Sequence, residues 1–338
     1  MSVGLDIGSK TIKIVELGKE GASWKLRSSG VVGYSGNSVE HIKDDKELAT
    51  LSEVIKKLFK ESNVSSKKVS IALPEPQVFT RTIKFPLLTD QEIASAVKWE
   101  AEQYIPIPVK EAIIQHQILE RRENASPPEV SVLLVAAPRV LVEKYVKVAQ
   151  TVGLTVVGVE TELMSLVRSL APVDQTVLLI DFGARSTDIA IAKNGRLAFS
   201  RSIPTAGEAF TRAVAQSLGV EQQQAEQYKR TYGLSGSQLE GKVKGALDPV
   251  FRLVADEMKK AIHFYQSEEK GEAPRSVVLS GGTAGLPEAV SALSKALGIE
   301  VVVGNSFTKV ALDQETNKKL APYAPLYSIA VGLALRGE

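Results

Sequence analysis

The sequence lacks cysteine entirely, and histidine occurs at only three of its 338 positions. Without cysteine the chain forms no disulfide bond, carries out no thiol catalysis and ligates no zinc through sulfur, which suits a reducing cytosol. The three histidines are His41, His116 and His263. They do not follow the i,i+4 spacing of a helical metal site, so a histidine-ligated metal is not expected.

Long apolar runs and a strong net charge are also missing. No apolar segment approaches the roughly 20 residues that a membrane-spanning helix needs, and the N-terminus does not resemble a signal peptide. The formal net charge of +2 is too small for the basic field that nucleic-acid binding requires. These absences predict a cytosolic protein that does not bind nucleic acid.

What is present is typical of a globular protein. Hydrophobic residues make up 44% of the sequence and charged residues 24%, which is ordinary for a chain that buries a core. A length of 338 residues exceeds the size at which one core usually suffices. Two or more subdomains are therefore expected.

The first motif with chemical meaning lies at the N-terminus. Apolar alternation runs up to Asp6, breaks at Gly8-Ser9-Lys10-Thr11 and then resumes, which predicts two strands joined by a tight turn. A glycine lets the backbone approach a ligand, successive N–H groups bind anions, and the turn adds hydroxyls and a cation. Asp6 is suited to hold Mg²⁺ through water. Alone, such a hairpin is more often only a turn.

The same layout returns later in the chain. An apolar strand, Asp-x-Gly, a polar turn and renewed alternation occur in the segment Asp181-Phe182-Gly183-Ala184-Arg185-Ser186-Thr187. Such internal similarity indicates two related halves, whose hairpins could grip a polyphosphate from both sides. A third element, a strand running into Gly281-Gly282-Thr283, suits a flat ligand that lies close to the backbone.

These three motifs, in this order, resemble the actin-like ATPase superfamily, which includes actin, heat-shock chaperones, hexokinases, FtsA and MreB. Two further segments fit. The pattern Ala225-Glu226-x-x-Lys229 is similar to the helix whose Glu and Lys approach ribose and adenine, and residues 324–335 are similar to the closing helix of the superfamily. The resemblance implies an α/β, actin-like ATPase fold with two duplicated ribonuclease-H-like halves.

Between residues 78 and 151 the sequence departs from actin. Its periodicity predicts a strand (78–85), a helix (90–105) opened by a capping box of Thr89 and Glu92, two strands (113–119 and 130–137) and a second helix (138–151). This βαββα insert resembles the SHS2-like subdomain of FtsA and of the type IV pilus assembly PilM family. Residues 99–108, a Glu-rich helix end followed by Ile-Pro-x-Pro, resemble the PilM family in particular.

The resemblance implies a division of the chain. The first half, subdomain IA, would comprise 1–77, 152–172 and 321–338. The inserted subdomain IC would comprise 78–151, and the second half, subdomains IIA and IIB, would comprise 173–320.

The resemblance also implies ATP with Mg²⁺ as the ligand. Asp6 and Asp181 would hold the metal through water. The phosphates would contact Gly8, Ser9, Lys10, Thr11, Gly183, Ala184, Arg185, Ser186 and Thr187. The ribose and base would contact Glu208, Glu226, Lys229, Gly281, Gly282 and Thr283.

Catalysis is less strongly implied than binding. Glu160 is the candidate for orienting the attacking water, although a glutamate near a helix N-terminus is also a favourable dipole partner without a catalytic role. At Ala184-Arg185 the superfamily often has Gly-Gly. An arginine beside the γ-phosphate stabilises a transition state in some enzymes, and it could equally crowd the water. We therefore expect ATP binding with at most slow hydrolysis.

Three functions stay open. The favoured one is a cytoplasmic, ATP-binding adaptor of the type IV pilus inner-membrane assembly platform, held at the membrane by the N-terminal cytoplasmic tail of PilN and in contact with other platform proteins. The first alternative is a self-associating cytoskeletal ATPase like FtsA or MreB, and the second is a small-molecule kinase.

Several features favour the adaptor. A kinase needs a general base for its substrate, and no local signature of one is visible. MreB lacks the insert, and the chain ends at Glu338 without the amphipathic anchor that FtsA carries. We expect the tail to dock between the insert and the rest of the chain, as extended peptides do in such clefts.

Overall fold

The computed structural model describes residues 1–124, 126–267 and 270–337. Glu338, to which the expected lack of an anchor referred, lies outside the described residues. The described chain forms a six-stranded, a five-stranded and a three-stranded sheet with helices around them. The predicted α/β class is confirmed.

The secondary structure follows the predicted order closely. The strands are β1 (Ser2–Ile7), β2 (Thr11–Glu20), β3 (Ser23–Gly33), β4 (Lys68–Leu73), β5 (Phe79–Pro86), β6 (Ala112–Arg122), β7 (Glu129–Pro138), β8 (Thr155–Thr161), β9 (Thr176–Phe182), β10 (Thr187–Lys193), β11 (Arg196–Ile203), β12 (Ser276–Ser280), β13 (Glu300–Val303) and β14 (Val310–Ala311). The helices are α1 (Asp45–Glu61), α2 (Asp90–Tyr104), α3 (Arg139–Thr151), α4 (Glu162–Leu170), α5 (Gly207–Leu218), α6 (Gln222–Tyr232), α7 (Lys242–Ser267), α8 (Ala289–Leu297), α9 (Gln314–Leu320) and α10 (Ser328–Leu335).

The two large sheets share one plan. The six-stranded sheet has the order β14-β3-β2-β1-β4-β8, and the five-stranded sheet has the order β11-β10-β9-β12-β13. In each, three antiparallel strands are followed by two strands that run parallel to the first strand of the hairpin. This correspondence is what a duplicated pair of halves would give.

The opening hairpins of the two sheets also match in register. In the first, Asp6 lies opposite Lys13, and in the second Asp181 lies opposite Asp188. Each turn is closed in the same way, because Gly8 N donates to Thr11 O and Gly183 N donates to Ser186 O, both at 3.1 Å. Equivalent positions in the two hairpins therefore carry the residues that could bind a ligand.

The closing helix α10 fixes the two large sheets in place. A Cβ on Gly4 of β1 would lie 2.0 Å from the carbonyl oxygen of Ala330, and one on Gly332 would lie 1.9 Å from that of Ser165 in α4. Only glycine allows backbone to approach backbone this closely. The helix thus packs directly on the strand that leads to the first turn.

The small sheet has the order β5-β7-β6, and α2 covers it through Ile93 and Val97. The predicted capping box opens α2, since the side chain of Thr89 accepts from Glu92 N while the side chain of Glu92 accepts from Thr89 N. Helix α3 instead buries Tyr145 and Val148 in the core of the six-stranded sheet. The proposed division into subdomains stays a prediction.

Of the helices within the described ranges, none is long and apolar enough to cross a membrane.

Candidate functional site

The two hairpins bring four charged side chains to one place. Lys13 Nζ binds Asp6 Oδ2 at 2.9 Å, and both side chains are buried. Burial alone would lower the pKa of Lys13, but Asp6, with a smaller effect of Asp181, raises it above its usual value. Lys13 is therefore a fixed positive charge between the aspartates of the two hairpins.

The second hairpin carries two facing carboxyl groups, whereas the first pairs a carboxyl group with a lysine. Burial raises the pKa of Asp181 to about 7, and the nearby Asp188 and Asp6 act in the same direction while Lys13 opposes them. Burial also raises the pKa of Asp188 to about 6, against hydrogen bonds from Ser202 and Ser186. These aspartates resist ionisation chiefly because they are buried away from solvent.

Two glutamates from the six-stranded side extend this acidic cluster. Burial, followed by the charges of Asp188, Asp6 and Asp181, raises the pKa of Glu162 well above its usual value. Glu162 Oε2 accepts a hydrogen bond from Glu75 N at 3.1 Å. Burial and then Asp188 raise the pKa of Glu75 to about 7.

Sequence analysis missed Lys13, Asp188, Glu75 and Glu162. The first two had a visible signal, because each follows the Asp of its hairpin at the same spacing. The two glutamates had none, since they reach the cluster only through the tertiary fold.

Glu160 does not join this cluster. Both of its carboxylate oxygens accept from Arg168, at 2.5 and 2.7 Å, and Ser165 Oγ donates to it at 2.7 Å. Arg168 also donates to the carbonyl oxygen of Gly332 at 2.8 Å. Arg168 of α4 thus links Glu160 of β8 to α10, and this geometry argues against the predicted catalytic role.

The predicted phosphate turns differ in what they offer. In the first, Lys10 is exposed while Gly8, Ser9 and Thr11 are half-buried. In the second, Gly183 and Ala184 are half-buried, and Arg185 is exposed and donates from Nη1 to Ser38 Oγ at 3.0 Å.

Two hydroxyl groups of the second turn donate hydrogen bonds within the protein. Ser186 Oγ donates to Asp188 at 2.7 Å. Thr187 is fully buried and donates to the carbonyl oxygen of Thr205 at 2.7 Å. The geometry therefore argues against a phosphate contact by the side chain of Thr187.

The glycine-rich loop after β12 abuts the second hairpin. Gly281 has φ of 87°, and a Cβ there would lie 2.4 Å from Asp181 Oδ1. Thr283 is buried, and its hydroxyl donates to the carbonyl oxygen of Gly183 at 2.9 Å. Gly282 alone of the three predicted loop residues is exposed.

The predicted ribose pair forms on α6. Lys229 Nζ binds Glu226 Oε2 at 2.6 Å and donates to the carbonyl oxygen of Gly207 at 3.1 Å. Thr211 Oγ1 donates to Glu226 at 2.5 Å. Burial would raise the pKa of Glu226, but Lys229 and Thr211 lower it to about 2. The pair is therefore an ion pair held against the start of α5.

The carboxyl groups of the two hairpins are the candidates for holding a metal. Within the described parts of the chain, no three His, Asp or Glu side chains are grouped so that they could hold a metal ion together. Asp6 and Asp181 fit the alternative, in which carboxylates bind the water molecules of Mg²⁺.

The sequence pattern of type IV pilus assembly protein PilM matches residues 4–338. The chain belongs to the PilM family. A solved PilM–PilN type IV pilus biogenesis complex is similar at a TM-score of 0.84 with 26% identity, over 99% of this chain and 98% of that chain. The resemblance to the PilM family and the actin-like ATPase fold predicted from the motifs are confirmed.

More distant relatives of this PilM-family chain are cell-division proteins. FtsA of Streptococcus pneumoniae is 22% identical over 343 residues, which cover 88% of this chain and 74% of FtsA. FtsA of Pseudomonas aeruginosa is 24% identical over 278 residues, 70% of this chain and 64% of FtsA. MreB5 of Spiroplasma citri bound to AMPPNP has a TM-score of 0.57 at 13% identity over 98% of this chain and 93% of that chain, a likeness of fold alone.

We expect the PilM-family protein without nucleotide and metal to lose stability as the pH rises from 5 to 8. Unfolded Asp181 ionises near its usual pKa of 3.8, whereas folded Asp181 keeps its proton to about pH 7. In this window the folded state binds more protons, so the free energy of unfolding falls with pH, by on the order of 2 kcal/mol. Glu75, with a pKa of about 7, acts in the same direction.

Urea denaturation at several pH values in EDTA measures this dependence. Asp188→Asn should flatten it, because the substitution removes a buried carboxyl and the charge that opposes ionisation of Asp181. Asp256→Asn, at an exposed carboxylate paired with Lys259, should leave it unchanged. Equal pH dependence in the wild type and Asp188→Asn would contradict the assignment.

Proposed function

We propose that this PilM-family protein is a nucleotide-dependent adaptor of a type IV pilus machine. It binds ATP with Mg²⁺ between the two hairpins, and it binds the N-terminal cytoplasmic tail of a PilN-family membrane protein. The observation that carries the nucleotide part is the matched pair of hairpins, which places Asp6, Lys13, Asp181 and Asp188 at one point.

The charge balance of the cleft supports a divalent cation. Asp6, Asp181 and Glu162 act on one buried cation, Lys13. Burial, followed by the charge of Asp188, raises the pKa of Asp181, and burial raises that of Asp188. Mg²⁺ held through water by Asp6 and Asp181 would offset the carboxylate charge and would neutralise charge on the phosphates.

The remaining predicted residues surround such a nucleotide. The two turns would supply backbone N–H groups and the side chains of Ser9, Lys10, Thr11 and Arg185. Glu226 and Lys229 would lie at the ribose and base, and the loop at Gly281 and Gly282 would lie along the adenosine.

For hydrolysis we propose Glu162 in place of Glu160. Glu162 opens α4 and faces Asp6 and Asp181, whereas both oxygens of Glu160 are bound by Arg168. A carboxylate near the metal and the outer phosphate orients the attacking water. Because Arg185 is part of the second turn, we expect turnover to be slow.

The similarity to the PilM–PilN complex, which extends over 99% of this chain, supports a PilN-family partner. An adaptor of this kind would lie at the cytoplasmic face of the inner membrane through the tail of its partner, and it would also contact other platform proteins. The relatives named FtsA favour filament formation as the second candidate function, which light scattering with MgATP distinguishes.

A groove beside α3 suits the tail. It has a volume of about 210 Å³ and lies between α3, the start of α1 and the 3-10 turn Val39–His41. Its floor is apolar, and its rim carries charges of both signs; the lining residues are Val39, Ile42, Lys43, Asp44, Asp45, Leu48, Lys144, Lys147 and Val148. A short tail that becomes ordered there would bind with about micromolar affinity, because ordering offsets part of the contact energy.

We expect Asp181→Asn to weaken MgATP binding at least about tenfold, because a neutral amide binds the waters of the metal less strongly. Calorimetry with and without Mg²⁺ measures the change. The amide resembles the protonated carboxyl of Asp181 in shape, so the fold should survive, which circular dichroism checks. Asp256→Asn, at an exposed position, is the matched control. Unchanged MgATP affinity in Asp181→Asn would remove the metal site.

Replacing each of two neighbouring glutamates with glutamine tests the proposal for hydrolysis. Glu162→Gln should abolish the slow phosphate release while ATP still binds. Glu160→Gln should instead lower the free energy of unfolding by about 2 kcal/mol, because it weakens a largely buried ion pair. Both are measured by phosphate release and urea denaturation. Loss of turnover in Glu160→Gln at unchanged stability would restore the original prediction.

Point substitutions also test the groove. They are preferable to a deletion of residues 78–151, which would remove α3 and would take Tyr145 and Val148 out of the core of the six-stranded sheet. Ile42→Glu in the groove should weaken binding of a PilN-tail peptide at least about tenfold, because the apolar floor gains a charge. Val140→Glu, at an exposed residue of α3, should bind normally. Fluorescence anisotropy compares them, and equal affinities would place the tail elsewhere.

A further inference from the structure

Glu208 connects the two phosphate turns. Its Oε1 atom lies 3.0 Å from Lys10 Nζ of the first turn and 3.8 Å from Arg185 Nε of the second turn. Both contacts are electrostatic, because Glu208 Oε1 accepts no hydrogen bond from the described residues. One carboxylate oxygen therefore faces the exposed cations of both turns.

The backbone fixes Glu208 in this position. Glu208 N donates to the carbonyl oxygen of Ala184 at 2.8 Å, and Gly207 N donates to that of Gly183 at 3.2 Å. A Cβ on Gly207 would lie 2.7 Å from Thr283 Oγ1, so glycine lets the start of α5 press against the second turn and the loop after β12. The carboxylate is consequently presented to the turns by a rigid support.

The contacts cross between the two large sheets. Lys10 follows β1, whereas Glu208 and Arg185 belong to the segments around β10 and α5. Arg185 crosses in the opposite direction, since its Nη1 donates to Ser38 Oγ in the connection between β3 and α1. The cations of both turns are thus held by groups of the other sheet's segments.

The three charged side chains are partly exposed, although the Oε1 atom of Glu208 is itself buried. The side chains of Lys10, Arg185 and Glu208 are 52%, 41% and 32% exposed. Ion pairs with this much solvent contribute little to stability. A polyphosphate with several negative charges and bidentate oxygens would compete successfully for an arginine and a lysine.

We infer that the Glu208 carboxylate stands in for an outer phosphate oxygen, holding Lys10 and Arg185 together until nucleotide phosphates replace it. The inference rests on the proposed ATP binding and changes the role of one residue in it. Glu208 then opposes phosphate binding, whereas the ribose contact implied by the superfamily resemblance would assist nucleotide binding. The two roles predict opposite signs for the same substitution.

Glu208→Gln decides between them. Calorimetry gives the dissociation constant of MgATP, and competition against ATP gives that of magnesium pyrophosphate, which has no ribose. We expect Glu208→Gln to bind both ligands about three- to tenfold more tightly, because the cations lose a competing charge. Glu208→Ala, as a second variant, should do the same. Glu315→Gln, which loses an exposed pair with Lys319 on α9, should bind like the wild type.

Repeating the Glu208→Gln substitution in a protein that lacks both cations shows whether the effect acts through them. In a Lys10→Met/Arg185→Met protein the gain from Glu208→Gln should disappear, because no cation is left to release. Weaker ATP binding with unchanged pyrophosphate binding would assign Glu208 to the ribose and overturn the inference, as would unchanged affinities or a gain that persists in the double variant. A wild-type protein that binds neither ligand would remove the proposed ATP site itself.

Discussion

The arrangement of the cleft between the two opening hairpins depends on the burial of acidic groups around one lysine, Lys13. Asp6, Asp181 and Glu162 act on Lys13 from both large sheets, and burial raises the pKa of Asp181, Asp188 and Glu162, because ionising a buried carboxyl without a partner is costly. A fold keeps such an arrangement when something outside the chain offsets the charge. This concentration of buried acidic groups is the physical basis of the proposed cation site.

Duplication explains how the chain assembles this cluster. Each opening hairpin places its Asp opposite one further charged residue, a lysine in the first and an aspartate in the second. The two copies are thus no longer equivalent: one brings a balanced pair, and the other brings two carboxylates. Glycines at Gly4 and Gly332 let α10 pack closely against both β1 and α4.

Much of the fold could be predicted because local patterns report it. Alternation and Asp-x-Gly located both hairpins, and the capping box located α2. The role predicted for Glu160 depended on where β8 ends and α4 begins, and the cap at Thr161 that starts α4 has no strong signature in the sequence. Periodicity also shows that α3 has an apolar face without showing which core receives it.

Hydrogen bonds and an ion pair connect the small sheet to β10 and β11 of the five-stranded sheet. Thr82 Oγ1 of β5 donates to the carbonyl oxygen of Ala198 at 2.8 Å, and Arg196 Nη1 donates to that of Leu119 at 2.6 Å. Lys193 of β10 reaches Glu120 at 3.3 Å. The small sheet is therefore connected to the five-stranded sheet beside its opening hairpin. If that hairpin rotates, the small sheet either moves with it or loses these contacts.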